Sequence, residues 1–125
     1  MNKENIDRLA ECVIGLAIEV HRVLGPGLLE SIYGAALSTE LELRGIRFEQ
    51  QKLLPVYYRG RIIGEFRADL IVENALLLEL KSVARHESVF EAQVLSYLKI
   101  SGLRVGLLLN FNTCLLKDGI KRFIL

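Results

Sequence analysis

Apolar residues near the start of the chain recur at helical spacing. Ile6, Leu9, Ala10, Val13, Leu16, Ala17, Val20 and Leu24 fall three or four positions apart, which predicts an amphipathic helix over about residues 4 to 24. Gly25-Pro26-Gly27 ends it, because proline cannot continue the hydrogen-bond ladder. A second helix is predicted from Leu28 to Arg44, with Leu29, Ile32, Tyr33, Ala36, Leu37 and Leu41 as its apolar positions and Gly45 as its cap. The period then changes. Phe48 to Tyr58 reads as a strand bent near Pro55, Arg59-Gly60 as a turn, and Arg61 to Val72 as a second extended segment. After a turn at Glu73-Asn74-Ala75, Leu76 to Leu80 reads as a short apolar strand interrupted only by Glu79. Helix returns from Ser88 to Ser101 and stops at Gly102. Val105 to Asn110 reads as a buried strand and Ile120 to Leu125 as an edge strand. Two helices, three antiparallel strands, a helix and one or two strands make a single α/β domain with a mixed sheet over residues 1 to 125.

Composition changes this picture little. Apolar residues make up 51% of the 125 and charged residues 25%, which suits an ordinary globular domain rather than a disordered chain. Cys12 and Cys114 lack metal-ligand spacing and are expected to fill gaps in the core. The charged N-terminus lacks an apolar signal-peptide segment, and no apolar run approaches the length of a membrane span. A cytoplasmic protein with no membrane partner is expected. The net charge of +1 excludes a protein that coats nucleic acid by charge excess; any such contact must come from local arrangement.

The chemistry concentrates in Phe66-Arg67-Ala68-Asp69-Leu70-Ile71-Val72 and Leu76-Leu77-Leu78-Glu79-Leu80-Lys81. Glu79 and Lys81 lie two apart on a strand and share a face. If residues 73 to 75 form a three-residue turn, Asp69 falls opposite Glu79, with Cβ atoms about 5 Å apart. Two carboxylates so close repel unless a cation lies between them, and magnesium is commonly held by one or two carboxylates plus water and phosphate. The Lys81 ammonium could then orient an attacking water or stabilise a charged phosphate. The plainer reading is a solvated strand face that carries Asp, Glu and Lys by chance. Against it, Glu79 interrupts a run of leucines, where an unpaired charge is costly.

Asp69 followed by Glu79-Leu80-Lys81 resembles the metal-site motif of the PD-(D/E)XK nuclease superfamily. Gln93-Val94-Leu95-Ser96-Tyr97 resembles the QxxxY motif of its RecB-like branch. Gly27-Leu28-Leu29-Glu30-Ser31-Ile32-Tyr33 reads GxxExxY, and nearly the whole chain, from His21 to Arg122, is similar to the small bacterial family known by that pattern. The resemblance implies a restriction-endonuclease-like fold with a mixed β-sheet flanked by helices. It implies hydrolysis of phosphodiester bonds in DNA, or in RNA, with Mg2+ or Mn2+ as cofactor. Asp69 and Glu79 become metal ligands, Glu30 a further acidic site residue and candidate ligand, and Lys81 the catalytic lysine. Phe90 departs from the histidine that relatives often carry there.

Several residues keep two readings. Glu30 equally suits a helix first turn, where a carboxylate favours the dipole. His21 is either a supporting ligand or a helix-end cation. Gln93 and Tyr97 share a helical face and either support the site or pack beneath it. His86 is expected to be exposed. The arginines at 59, 61 and 67, with Lys99, Lys117, Lys121 and Arg122, could form a phosphate-binding rim, though each alone is ordinary surface charge. Tyr57-Tyr58 could stack on bases. Two competing classes stand beside the nuclease: a non-catalytic nucleic-acid-binding or regulatory module, and an interaction domain that forms a homodimer through its first helix.

Overall fold

The computed structural model describes all 125 residues. Helices α1 (Lys3–Leu24) and α2 (Glu30–Leu43) come first. Strands β1 (Phe48–Tyr58), β2 (Arg61–Val72) and β3 (Leu76–Lys81) follow, then α3 (Ser88–Ser101), β4 (Val105–Asn110), a 3-10 turn at Leu116–Gly119 and β5 (Ile120–Ile124). The five strands form one sheet in chain order. β3 and β4 run parallel, joined through α3, and every other neighbouring pair is antiparallel. A parallel pair needs such a crossover because a tight turn cannot reverse the chain twice. No helix is long and apolar enough to cross a membrane.

The sheet is covered on both faces. One core joins α1, α2 and the sheet through Ala10, Val13, Leu16, Tyr33, Leu37, Leu41, Leu76 and Leu78. The other joins α3 and the sheet through Val94, Leu98, Leu77, Leu108 and Phe123. Burial on both sides explains why β3 and β4 read as continuous apolar runs. The apolar face of α1 lies inside the chain's own core, while Ile18 and Val23 remain outside.

Two expectations need correction, and one short element was not foreseen. α2 begins at Glu30 rather than Leu28, because Tyr33 holds the preceding loop out of helical geometry; Leu29 is exposed. Cys12 and Cys114 are exposed and free: Cys12 lies off the buried stripe of α1, and Cys114 sits in the loop after β4. Residues 116 to 119 form a short 3-10 turn before β5. That turn brings Gly119 so close to β4 that a Cβ there would lie 2.2 Å from the Asn110 carbonyl oxygen, so the position excludes any side chain.

Side-chain alternation breaks in the middle of the long β1–β2 hairpin. Leu70 and Val72 face α1 and α2, whereas Phe66 and Ala68, also even-numbered, join the α3 core. β1 changes faces too: Phe48 packs on the first core, Leu54 and Val56 on the second. The ladder passes from Gln50–Leu70 to Lys52–Ala68, skipping Gln51 and Asp69. Gln51 takes φ 49, a left-handed conformation uncommon for a residue with a Cβ.

Candidate active site

The β2–β3 turn sets the geometry. Leu70 pairs with Leu78, Ile71 with Leu77 and Val72 with Leu76, the register expected of a three-residue turn. Glu73 and Asn74 both take φ 53, Ala75 N–H donates to the Val72 carbonyl at 3.0 Å, and Arg47 holds the Glu73 carboxylate. Beyond Leu70–Leu78 the main-chain ladder stops and side chains bridge the gap. Leu80 N–H donates to Asp69 Oδ2 at 2.8 Å, and Asp69 N–H makes a long 3.5 Å contact with Glu79 Oε1. The two carboxylates therefore meet where β2 and β3 separate.

Their environments differ. Asp69 is half-buried, while Glu79 is only 6% exposed. Burial, and then the neighbouring Asp69 charge, push the Glu79 carboxyl up to about 8; the Asp69 N–H and the Lys81 ammonium act against that rise. The Tyr97 hydroxyl is also raised, by burial first and then by Glu79 and Asp69. The local field is negative, which favours a cation.

Glu30 opens α2 and lines a cleft of about 380 Å3 with Ser31, Gln50, Gln51 and Asp69. Its placement follows from the loop before it. Tyr33 Oη donates to the Gly25 carbonyl at 2.5 Å and accepts from Leu28 N–H at 3.1 Å. The Ser82 hydroxyl donates to the Leu28 carbonyl, tying that loop to the end of β3. The tyrosine of GxxExxY thus clamps the turn that carries the glutamate, and its ring stacks on Phe111.

Lys81 is close enough for its charge to act on Glu79, but it lines a different cleft. Its ammonium sits 4.5 Å from the centre of the Phe90 ring, and it lines a separate cleft of about 210 Å3 with His86, Asn110, Asp118 and Lys121. Exposed His86 and Lys121 both contact Glu91, whose carboxyl is held low by Lys121 and then by His86. Tyr97 stacks on Phe66 at 4.2 Å, whereas Gln93 is exposed with no hydrogen-bond partner in the chain. His21 is buried, and its Nε2 lies 2.8 Å from the Thr113 carbonyl oxygen, pinning α1 to the loop after β4. It does not line the cleft of Asp69 and Glu30.

Of the residues singled out in the sequence, the fold brings Asp69 to Glu79 and Asp69 to Glu30. Glu79, Lys81, Gln93 and His21 do not line the cleft that Asp69 shares with Glu30. Gln50 and Gln51 border it and were not singled out. The four consecutive polar residues between Phe48 and Leu53, Gln50 and Gln51 among them, break the strand alternation, and that break is their only trace in the sequence. No three acidic, histidine or cysteine groups come close enough to form a metal cluster. Two adjoining carboxylates in a negative pocket still fit a magnesium-like cation, which completes its shell with water.

A family profile matches residues 7–123, and its family is the PD-(D/E)XK nuclease superfamily. The chain belongs to that superfamily. Its members are usually nucleases that use divalent metal ions, and the five-stranded mixed sheet flanked by helices agrees with the superfamily's fold. No curated protein and no solved structure matches the chain.

Proposed function

We propose that this superfamily member hydrolyses phosphodiester bonds of DNA, with RNA as the alternative substrate, using Mg2+ or Mn2+ held by Asp69 and Glu79. The observation that carries this reading is the contact of the two carboxylates at the strand split, one of them buried and strongly proton-attracting. When bound, the ion activates a water and offsets the phosphate charge. Leu80 N–H fixes Asp69 through Oδ2, which leaves Oδ1 for the ion. Glu30, across the cleft, orients water or adds a ligand, while Tyr97 buttresses Phe66 and the back of the site. Gln93 and His21 are assigned supporting roles only, consistent with the GxxExxY pattern and the RecB-like branch.

Lys81 meets substrate by leaving Phe90. Lys81 and Phe90 are both half-buried, so the contact is worth roughly 0.5–2 kcal/mol, against roughly 1.5–3 kcal/mol for a hydrogen bond to a charged group. Phosphate therefore competes for the ammonium. The place of Lys81 over Phe90 also favours a second reading, a binding module without turnover. Incubating the protein with single- and double-stranded DNA and RNA separates them. Cleavage with Mg2+ or Mn2+ that stops in chelator supports the nuclease. Binding without cleavage on every substrate supports the module.

A further inference from the structure

The long hairpin outruns the sheet that supports it. β2 spans residues 61–72 but pairs with β3 only at Leu70, Ile71 and Val72. Farther out, Leu54, Val56 and Phe66 rest on the α3 core, and beyond them nothing covers the hairpin. Tyr57 and Tyr58, adjacent on a strand and therefore on opposite faces, are 62% and 60% exposed. Ile62 and Ile63 are equally open, and Ile63 is the extra residue of a bulge where Val56–Gly64 gives way to Tyr57–Ile62. Arg59 and Gly60 make the turn, both with positive φ, as a two-residue hairpin turn demands.

The charge at this tip has one sign. No acidic residue occurs from Gln50 to Gly64, while Lys52, Arg59 and Arg61 do. Lys52 is paired with Glu49; Arg59 and Arg61 have no acidic partner, and Arg59 lies over the Tyr58 ring at 5.7 Å. Two unpaired guanidiniums beside two open aromatic rings match a nucleic-acid strand, whose phosphates take the cations and whose bases take the rings. A second copy meeting tip to tip would bring like charges together. The eight residue steps from Asp69 to Arg61 extend at most about 26 Å at roughly 3.3 Å per residue. That equals about eight base-pair steps of 3.4 Å, so one bound molecule reaches both places.

We infer that the β1–β2 tip is a nucleic-acid-binding finger, in which Arg59 and Arg61 hold phosphates and Tyr57 and Tyr58 stack on exposed bases of the substrate bound at the Asp69 cleft. This rests on the nucleic-acid reading above but not on catalysis.

The test measures binding of the whole protein in chelator to fluorescently labelled 20-nucleotide single strands and duplexes across salt concentrations. Replacing both arginines, as in Arg59→Ala with Arg61→Ala, should lower the salt-dependence slope by about 1.4 on single strands and 1.8 on duplex. Arg59→Lys with Arg61→Lys should keep the slope. Tyr58→Ala should weaken single-strand binding by about 5- to 150-fold. The tyrosine effect should vanish on strands of four nucleotides. All four positions are exposed, so unchanged melting curves are expected, and a variant that melts early is replaced by Arg59→Gln with Arg61→Gln, or by Tyr58→Leu, which remove the charge or the ring while keeping bulk and carry the same expected losses. Unchanged affinity and slope in the alanine variants would overturn the finding, as would tip-dependent binding to anionic phospholipid vesicles in place of nucleic acid, or tip-dependent dimerisation in sedimentation. Tip-dependent binding without cleavage leaves the finger standing and removes the nuclease; cleavage indifferent to the tip does the reverse.

Discussion

Asp69 binds the backbone of Leu80, one residue past Glu79, with Oδ2 accepting the Leu80 N–H at 2.8 Å. The aspartate is thus anchored by the very strand that carries its acidic neighbour. Its substitution should have two separable effects. Asp69→Asn keeps an acceptor for Leu80 and should cost little stability, while Asp69→Ala, which leaves the N–H of buried Leu80 unpaired, should lose roughly 1–3 kcal/mol. Both should abolish metal binding measured by calorimetry. Retained metal affinity in Asp69→Asn would count against its place as a ligand.

Glu79 makes stability depend on pH. An unfolded glutamate releases its proton near 4.5, and the folded one near 8. Between these values the native state binds more protons than the unfolded state, so stability falls as pH rises through that window. Stability at Glu79 is fully present below about 4.5 and lost above about 8. Glu79→Gln should remove the slope, giving a metal-free protein more stable than wild type by a few kcal/mol, on the order of magnitude set by about 1.4 kcal/mol per unit, at pH 8 and above. Parallel pH profiles of melting temperature for the two proteins would show that burial does not hold this proton.

Glu30 separates a site role from a helix role. A first-turn carboxylate contributes roughly 0.3–1 kcal/mol through the dipole. If Glu30 serves the ion, Glu30→Gln should barely change metal-free melting yet blunt the gain that Mg2+ or Mn2+ gives by binding only the folded state. A mutant with the full metal-induced gain and full turnover assigns Glu30 to its helix alone.

Lys81→Ala should leave metal affinity intact and reduce turnover at least a hundredfold, since one donor aimed at charge developing in a transition state contributes about 2.7–4 kcal/mol in an oxyanion hole. Wild-type cleavage in this variant would leave Lys81 as the partner of Phe90 and nothing more.

Gln51 carries backbone strain at the cleft. Gln51→Gly relieves it and should be neutral or slightly stabilising, whereas β-branched Gln51→Val should cost on the order of 1–3 kcal/mol. Chemical denaturation of the two variants checks the sign. A Val variant as stable as wild type would mean that the strand relaxes at this point.

The element order and the β2–β3 register were legible because periodicity switches cleanly from 3.6 to 2 at Phe48 and because a three-residue turn leaves one pairing. The start of α2 was not, since Leu28 and Leu29 continue an apolar pattern, and tertiary hydrogen bonds from Tyr33 and Ser82 hold the loop before Glu30. At the site, the approach of Asp69 to Glu79 followed from the register once the turn had three residues, though the ladder ends at Leu70–Leu78 and side-chain hydrogen bonds make the contact. The direction of the Lys81 side chain did not: strand alternation fixes its Cβ, and Phe90, brought over by α3, decides where the ammonium rests. Cys12 misled for a related reason. Small apolar residues suit a core, yet position 12 falls on the outer face of α1.

The hairpin turn at residues 73 to 75 also has a bearing on the order of assembly. Asp69 and Glu79 are ten positions apart, joined by a turn whose closure takes about 1–10 µs. The β3–β4 pairing must wait for the chain through α3 to fold back, with 29 positions between Leu76 and its partner Val105, and non-local pairing of that kind is slower. The β2–β3 turn can therefore close before the β4 pairing and the α3 packing that bury Glu79. In that order of assembly both acids would still be hydrated and free to ionise, and a divalent ion held as proposed would meet them before the interior had formed.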